Sequence, residues 1–377
     1  MAGIYVHIPF CRKACHYCNF HFSTNLKNQS SLVDAICREI DQRQEELTEQ
    51  IETIYLGGGT PSLLAPDELY RILDNIKSQF KIIKTAEITI EANPEDITKE
   101  SVQFFEDVGI NRVSIGIQSF NDRNLTFMNR AHSGVQSIQA LEILTQSKIS
   151  NISADLMFGL IDNTTENLEQ DLRQMTHFNL PHLSVYNLTI EEQTVFANWK
   201  QKSKINELSD VLQKEQFYLI SDFLAGQNYN HYEISNYAKE GATAKHNTNY
   251  WNRVNYLGFG PSAHSLVDNL RSWNVSNNAK YIKYSKDHII ERESEMLSVI
   301  DQYNEIVMLG LRRKKGIAKT NGLNKLPGLL QEFFYSSVSP LIKEGILLES
   351  DQWIRLHPDF WYVSDDIASA LFYTNDE

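Results

Sequence analysis

The stretch Tyr5–Phe20, YVHIPFCRKACHYCNF, places three cysteines within eight residues, at positions 11, 15 and 18. The apolar, β-branched residues at its start predict a strand over Ile4–Ile8. The cysteines therefore follow this strand directly, on a loop. If the strand belongs to a parallel sheet, the loop lies beyond the carboxyl ends of the strands, where ligands gather.

A loop with three thiolates can bind three irons of a 4Fe-4S cluster and leave the fourth iron open to an exchangeable ligand. The metal ligands are then Cys11, Cys15 and Cys18. Zinc is the alternative, with a histidine such as His7 or His16 as the fourth ligand. Structural zinc sites usually use two separated ligand pairs, and no second Cys/His pair follows in the sequence. The pattern therefore favours the cluster.

Short apolar runs alternate with longer helical patterns in the residues that follow. The predicted strands cover Ile4–Ile8, Thr53–Leu56, Glu87–Glu91, Arg112–Ile117, Asn151–Leu156 and His182–Tyr186. The predicted helices cover Ser30–Thr48, Ala65–Ser78, Thr98–Val108, Ser133–Ser147 and Thr164–His177. This alternation predicts an α/β fold with a parallel sheet, either a barrel or a doubly wound sheet, over residues 1–225.

The pattern changes after residue 225. Residues 226–303 are rich in aromatic residues, asparagine and glycine, and they predict an irregular α+β region. Residues 304–377 return to helical patterns. A helix over Leu329–Glu344, a hairpin over Ile346–Leu356 and a closing helix over Ser364–Phe372 predict a small winged-helix-like C-terminal domain.

The composition excludes several classes of protein. With 35 basic and 48 acidic side chains the formal net charge is −13, which argues against a nucleic-acid partner. No apolar run reaches the ~18 residues of a membrane span, so we expect no integral membrane protein. No signal peptide precedes Tyr5, and we expect a cytoplasmic protein whose cysteines are ligands or catalysts. Cys37, inside a predicted helix, is expected to be a buried thiol.

A second motif, YLGGGTPSLL at Tyr55–Leu64, puts three glycines between a predicted strand and a helix. Glycine lets the backbone approach a ligand closely. A C-x3-C-x2-C loop followed by GGGTP resembles the radical S-adenosylmethionine (SAM) enzymes. With ITIEANPE at Ile88–Glu95 and SIGIQSF at Ser114–Phe120, the sequence resembles the oxygen-independent coproporphyrinogen III oxidase family and its relatives, the HemW haem chaperones, over nearly the whole chain.

The resemblance implies a partial (β/α)6 radical-SAM barrel in which SAM binds the open iron of the 4Fe-4S cluster. It also implies which residues contact SAM. By their places in the matched motifs these are Tyr5, Tyr17, Gly58, Gly59, Thr60, Glu91, Gln118, Arg130 and Asp155. A carboxylate can bind ribose hydroxyls or an amine, and an arginine can bind a carboxylate. Taken singly, the charged members could equally be salt-bridge partners; their joint order and spacing favour SAM.

Three features separate the chaperones from the oxidases. The oxidases carry a further cysteine, C-x3-C-x2-C-x-C, where this sequence has Phe20, and a long arm before the motif, which here begins at residue 5. HNTNYW, His246 to Trp251, fits the H-N-x-x-Y-W element of HemW proteins. A neutral imidazole can ligate haem iron, and Tyr250 and Trp251 offer flat faces to a porphyrin. From the residues alone, His246 could equally be a hydrogen-bonding loop residue, and His264 is a second candidate ligand.

One segment departs from the family pattern. The family reads D-L-x-x-G-L-P-G-Q-T after the fifth strand, whereas this chain reads DLMFGLIDNT, with Ile161, Asp162 and Asn163 in place of Pro-Gly-Gln. Asp155 is kept. The loop after Leu160 is therefore expected to turn differently.

The sequence thus predicts a cytoplasmic protein with a 4Fe-4S cluster and SAM that binds haem and passes it to an acceptor protein. A membrane-associated acceptor is one option. The first alternative is a radical-SAM oxidoreductase that acts on a porphyrinogen, because both groups share the barrel, the cluster and the capacity to cleave SAM. The second alternative is a non-catalytic zinc protein.

Overall fold

The computed structural model describes residues 1–161, 164–320 and 322–374. The strands are β1 (Ala2–Ile8), β2 (Ile51–Gly58), β3 (Ile82–Ala92), β4 (Arg112–Gln118), β5 (Asn151–Phe158), β6 (His182–Asn187), β7 (Asn230–Glu233), β8 (Asn236–Ala238), β9 (Tyr256–Phe259), β10 (His264–Val267), β11 (Leu270–Asn274), β12 (Arg292–Met296), β13 (Ile317–Ala318), β14 (Leu347–Glu349) and β15 (Trp353–Leu356). The helices are α1 (Gln29–Arg43), α2 (Pro66–Gln79), α3 (Lys99–Asp107), α4 (Asp122–Phe127), α5 (Gly134–Thr145), α6 (Thr165–His177), α7 (Val195–Gln201), α8 (Asp210–Gly226), α9 (Lys245–Trp251), α10 (Asn278–Lys286), α11 (Val299–Leu311), α12 (Gly328–Lys343) and α13 (Ser364–Ala370).

Six parallel strands, β1 to β6, form the centre of the fold in chain order, as in a partial (β/α)6 barrel. Each predicted strand and each of the five predicted helices of residues 1–225 is present. The strands are nearly continuous buried runs, and every residue of β4 is buried. Such runs are typical of parallel strands covered on both faces. The prediction of an α/β fold with a parallel sheet is therefore confirmed.

The later strands lengthen this sheet at both edges. Strand β9 pairs in parallel with β1, and β10, β11 and β12 follow it in antiparallel order. At the other edge β8 pairs with β6, and β7 pairs with β8. The sequence predicts an irregular α+β region over residues 226–303. In the described part of the chain, these residues instead contribute six short strands to one sheet.

Local signals explain where several helices begin. The Thr98 side chain accepts a hydrogen bond from the Ser101 backbone N–H, and the Ser101 hydroxyl oxygen accepts one from the Thr98 backbone N–H. These two bonds form a capping box before α3. Pro66 opens α2, and Asp67 and Glu68 lie in its first turn, where acidic side chains favour a helix. The starts of these helices are therefore encoded locally.

The C-terminal unit contains the predicted helix, hairpin and closing helix as α12, β14–β15 and α13. The described chain adds α11 and the short strand β13, which pairs with β15. Buried side chains of this unit, such as Tyr303 and Phe334, belong to the same continuous apolar core as the large sheet. Among the described residues, no helix is both long and apolar enough to cross a membrane.

A buried ion pair fastens α1 to the added strands. Arg43 is 1% exposed and donates to Glu39 (2.7 Å), to the Gly258 carbonyl (2.7 Å) and to the Ser265 hydroxyl (3.0 Å). Glu39 also accepts from the Gly260 backbone N–H at 3.0 Å. The first barrel helix and the β9–β10 extension therefore form one packed structure.

Candidate functional site

The cysteine loop lies at the carboxyl end of β1, and Arg130 reaches it from the loop after α4. The guanidinium donates from Nη1 to Cys15 Sγ at 3.4 Å and to the Tyr17 hydroxyl oxygen at 3.3 Å. Its Nη2 donates to the Gly116 carbonyl at 2.9 Å and to Asn93 Oδ1 at 2.6 Å. One buried cation therefore connects the thiols to the ends of β3 and β4.

A second contact reaches the first cysteine. The Asn93 amide donates to Thr60 Oγ1 at 3.2 Å, and the Thr60 hydroxyl lies 3.6 Å from Cys11 Sγ, within the range of a weak hydrogen bond to sulfur. Because Asn93 also accepts from Arg130, its amide links the hydrogen bonds around Cys11 to those around Cys15. Asn93 belongs to the EANPE motif, but the sequence analysis did not single it out.

The donor set fits a 4Fe-4S cluster, since Cys11, Cys15 and Cys18 are three free cysteines on one loop. Burial raises the pKa of the Cys11 thiol to about 11 and also raises the pKa of Cys18. Such thiols stay protonated at neutral pH unless a metal replaces the proton. A cluster binds each thiolate at a different iron, so the three sulfurs need not converge on one point. When bound, it would supply an iron open to an exchangeable ligand and an electron for reduction.

No group of three or more His, Cys, Asp or Glu side chains in the described residues is arranged to hold a single metal ion. The candidate zinc histidines have other partners. His7 donates from Nε2 to the His21 carbonyl at 2.9 Å, so its Nδ1 accepts from the Tyr5 hydroxyl at 3.0 Å. His16 donates from Nδ1 to the Phe127 carbonyl at 2.8 Å.

The glycine motif lies beside the cysteine loop and needs its glycines. Gly58 has φ +107°, and a Cβ there would lie 2.5 Å from the His7 ring. A Cβ on Gly59 would lie 2.7 Å from backbone atoms of Ile8 and Phe10. The Gly58 backbone N–H donates to the Glu91 carboxylate at 3.1 Å. The motif therefore brings backbone groups close to the cysteine loop and to Glu91.

Two partly buried carboxyl groups lie inside the barrel. Glu91 accepts from the Tyr55 hydroxyl at 2.7 Å, and Asp155 accepts from the Ser114 hydroxyl at 3.4 Å. Burial raises the pKa of Glu91 to about 7, and the nearby Asp155 adds to this rise. Burial likewise raises the pKa of Asp155 to about 6. Ionisable groups with strongly shifted pKa values cluster at functional sites.

Gln118 carries a backbone conformation that is rare for its residue type. Its φ is +66°, in the left-handed region, and the pairing of β4 with β5 shifts register between Gly116 and Gln118. A Cβ on Gly116 would lie 2.9 Å from Gln118 Nε2 and 3.2 Å from Arg130 Nη2. The glycine thus leaves room for the Gln118 amide beside the guanidinium. Strained backbone of this kind concentrates at functional sites.

His246 lies elsewhere, on α9, with both ring nitrogens engaged. Nδ1 lies 2.8 Å from Thr53 Oγ1, and Nε2 lies 2.9 Å from the Tyr250 hydroxyl. The side chain is buried, and burial lowers its pKa to about 3, so the imidazole is neutral. Its ring stacks on Tyr55 at a centroid distance of 5.1 Å. Because Tyr55 also bonds Glu91, it connects His246 to the SAM candidates.

Tyr250 and Trp251, the last two residues of α9, line a cleft of about 540 Å³. The opposite walls carry Tyr186 at the end of β6, Glu233 before the β7–β8 turn, and Arg312 after α11. The volume lies within the range of small-molecule sites. His264 does not line this cleft; it stacks on Trp273 at a centroid distance of 5.8 Å.

The structure thus brings the cysteines together with Tyr5, Tyr17, Gly58, Gly59, Thr60, Glu91, Gln118, Arg130 and Asp155 at one end of the barrel. His246 does not join that group directly. Sequence reasoning missed Tyr55 and Asn93. Tyr55 opens the glycine motif and lies opposite Tyr5 in the β1–β2 pairing, which is the signal that could have found it. Asp162 and Asn163, at the departure from the family pattern, lie outside the described residues.

The chain is similar to several known proteins. Residues 5–175 match the model of the radical SAM superfamily. The heme chaperone HemW of Lactococcus lactis is 33% identical over 93% of this chain and 92% of its own length. HemW of Bacillus subtilis is 32% identical over 98% of this chain and 99% of its own.

Among solved structures, the coproporphyrinogen III oxidase HemN of Escherichia coli, described as a radical SAM enzyme, matches with a TM-score of 0.85. The match covers 98% of this chain and 90% of that one at 22% identity, so it establishes the shared fold. The matches to the two HemW relatives, at 32–33% identity, cover nearly the whole length of both this chain and the relatives. This chain therefore belongs to the HemW family of radical-SAM proteins.

Proposed function

We propose that this chain is a haem chaperone, which binds haem in the cytoplasm and transfers it to an acceptor protein. Cys11, Cys15 and Cys18 hold a 4Fe-4S cluster in this proposal. The residues implied for SAM are Tyr5, Tyr17, Gly58, Gly59, Thr60, Glu91, Gln118, Arg130 and Asp155. Support comes from relatives that are named heme chaperones and from the hydrogen bonds between these residues and the cysteine loop.

One observation carries the haem part of the proposal. The HNTNYW element places Tyr250 and Trp251 on the wall of a cleft of about 540 Å³. A porphyrin needs flat apolar faces, and aromatic rings supply them. The Trp251 Nε1–H is buried and has no hydrogen-bond acceptor among the described residues, which suits a wall that meets a ligand.

His246 remains the proposed haem ligand, although it is buried beside Tyr250 and does not itself line the cleft. Its Nε2 is bonded to the Tyr250 hydroxyl, so this bond must break before the nitrogen can bind iron. The Thr53 hydroxyl can then accept from the other nitrogen and hold the neutral tautomer. Haem binding would in this way rotate Tyr250 away from His246.

The test is an anaerobic haem titration of cluster-reconstituted protein, followed by its absorption spectrum. We expect saturation near one haem per chain. His246→Ala should change the Soret band, because it removes the ligand. Trp251→Ala should weaken binding without that spectral change, because it removes only a stacking face.

Two results would contradict the proposal. A protein that keeps its cluster and SAM but binds no haem saturably is not a haem chaperone, and porphyrinogen decarboxylation would then be the activity to assay. An unchanged Soret band in His246→Ala would mean that another residue ligates the haem iron, although the chaperone function could still hold.

A further inference from the structure

The cleft beside α9 is lined by a cation, Arg312, whose present carboxylate partner, Asp365, could be replaced by the carboxylate of a ligand. Arg312 lies directly after α11, and Nε and Nη2 of its guanidinium donate to the two carboxylate oxygens of Asp365 at 2.7 Å and 2.6 Å. Both residues line the cleft. Two parallel bonds from one guanidinium are the arrangement by which arginine recognises any carboxylate.

This pair is open to water and easily displaced. The side chain of Asp365 is 62% exposed and that of Arg312 is 30% exposed. Exposed pairs contribute little to stability, since water solvates both partners well once they separate. A ligand carboxylate that also gains contacts with the cleft walls can therefore replace Asp365 on Arg312. Asp365, in the first turn of α13, would then turn to solvent.

A second acidic group on the wall, Glu233, also faces Arg312. Its side chain is 1% exposed, and one carboxyl oxygen is bonded by the Asn236 amide. The other, Oε2, has no hydrogen-bond partner among the described residues. Burial raises the pKa of Glu233 to about 7. Its protonated form donates a hydrogen bond and does not repel an incoming carboxylate.

The cleft therefore combines flat aromatic walls, an arginine fork and buried polar atoms, such as Glu233 Oε2 and Trp251 Nε1, that have no hydrogen-bond partner among the described residues. Tyr250 and Trp251 suit the plane of a conjugated ring, and Arg312 suits an acidic side group at its edge. A porphyrin with propionate side chains has both features. This chemistry fits the cleft better than a neutral apolar ligand, because such a ligand would leave the polar wall atoms unpaired.

We propose that Arg312 recognises a propionate carboxylate of the porphyrin and that Asp365 occupies the same guanidinium until the ligand displaces it. The identity of the porphyrin rests on the proposed function. Asp365 is thus an internal competitor of the ligand. The two residues should have opposite effects on binding, although they form a single salt bridge.

The experiment compares haem with haem dimethyl ester, which lacks free carboxylates, in the full-length, cluster-reconstituted protein. Arg312→Gln should raise the Kd for haem about tenfold or more, as expected for a lost charged hydrogen bond. Asp365→Asn should lower it about two- to fivefold, because the competitor is weakened. Neither variant should change the Kd for the ester.

The two variants control each other, since both break the same salt bridge. If the bridge only stabilises the C-terminal unit, both changes will weaken binding of haem and ester alike, and the inference is wrong. It is also overturned if Arg312→Gln binds haem as the unaltered protein does. In that case haem binding itself persists, whereas failure of the proposed function would abolish saturable haem binding in every form of the protein.

Discussion

Glu91 shows how partial burial changes the contribution of a carboxyl group to folding stability. Its pKa of about 7, raised by burial, exceeds the ordinary value of 4.5. A folded-state pKa above the unfolded value means that the group favours folding below about pH 4.5. This contribution is lost as the pH rises to about 7. Above pH 7 the charged form costs the ligand-free protein about 3 kcal/mol.

We therefore predict that Glu91→Gln stabilises the ligand-free protein at pH 8 and has little effect at pH 4.5. Urea unfolding at both pH values measures this effect. The control is Glu293→Gln, which removes one negative charge from an exposed residue. SAM binding should weaken in the same variant if the carboxylate contacts the ligand. Equal stability of Glu91→Gln and the unaltered protein at pH 8 would contradict the assigned cost.

Arg130 donates four hydrogen bonds at once, and we propose that SAM binding depends on this number. A lysine keeps the charge but cannot reach Cys15, Asn93 and the Gly116 carbonyl at the same time. We expect Arg130→Lys to raise the Kd for SAM by about tenfold or more, measured by equilibrium dialysis of cluster-reconstituted protein. The control is Lys13→Arg, an exchange at an exposed residue that bonds the Arg130 carbonyl. Unchanged SAM affinity in Arg130→Lys would show that charge alone suffices.

At the scale of single elements, α9 depends on a distant strand for its beginning. Ala244, the residue before the helix, has no side chain that can cap it. The Glu87 carboxylate in β3 instead accepts from the backbone N–H groups of Lys245 (3.2 Å) and His246 (3.0 Å). A negative charge at a helix N-terminus is also favoured by the helix dipole. The HNTNYW element is thus fixed by a carboxylate about 160 residues earlier in the chain.

We predict that Glu87→Ala destabilises the protein by about 1–3 kcal/mol, because two backbone N–H groups, of which that of His246 is buried, lose their acceptor. Glu87→Gln should recover part of this loss, since its amide oxygen can still accept. Urea unfolding gives the free energy, and hydrogen exchange of residues 245–251 tests the cause. If exchange in this helix is unchanged in Glu87→Ala, the carboxylate does not hold α9.

The same helix explains a limit of the sequence reasoning. KHNTNYW contains asparagine and aromatic residues, which form helices weakly, and its capping residue is not local. The pattern therefore predicts an irregular segment where the structure has a helix. By contrast, α2 and α3 carry their own starting signals, and both were predicted. Elements with local signals were readable, whereas those that depend on distant partners were not.

The site divides in a similar way. The cysteine spacing and the glycine motif make Cys11 and Gly58 candidates from the sequence alone, because both motifs place particular residue types at fixed intervals. Tyr55 and Asn93 act by linking residues on different strands, and such links are not periodic in sequence. The cleft of Arg312 was not predicted either, since its walls come from seven separate segments of the chain.

At the scale of the whole molecule, the Arg43–Glu39 pair joins the barrel to its extension. Breaking a buried pair leaves an uncompensated charge, so we predict that Arg43→Leu destabilises the protein by about 3–5 kcal/mol. Arg71→Leu, which breaks a half-exposed pair with Asp34, should cost about 0–1 kcal/mol. Urea unfolding compares the two. Similar losses in both variants would mean that the buried pair has no special role.

The pairing of β1 with both β2 and β9 has a consequence for synthesis on the ribosome. Roughly 200 residues separate the end of β2 from the end of β9. At 5–20 residues per second, translation of this interval takes about 10–40 s. During that time the outer edge of β1, with its cysteine loop already made, has no partner strand. Nascent chains are thus exposed to edge-to-edge association until residue 259 emerges, and a factor that shields this edge would raise the yield of folded protein.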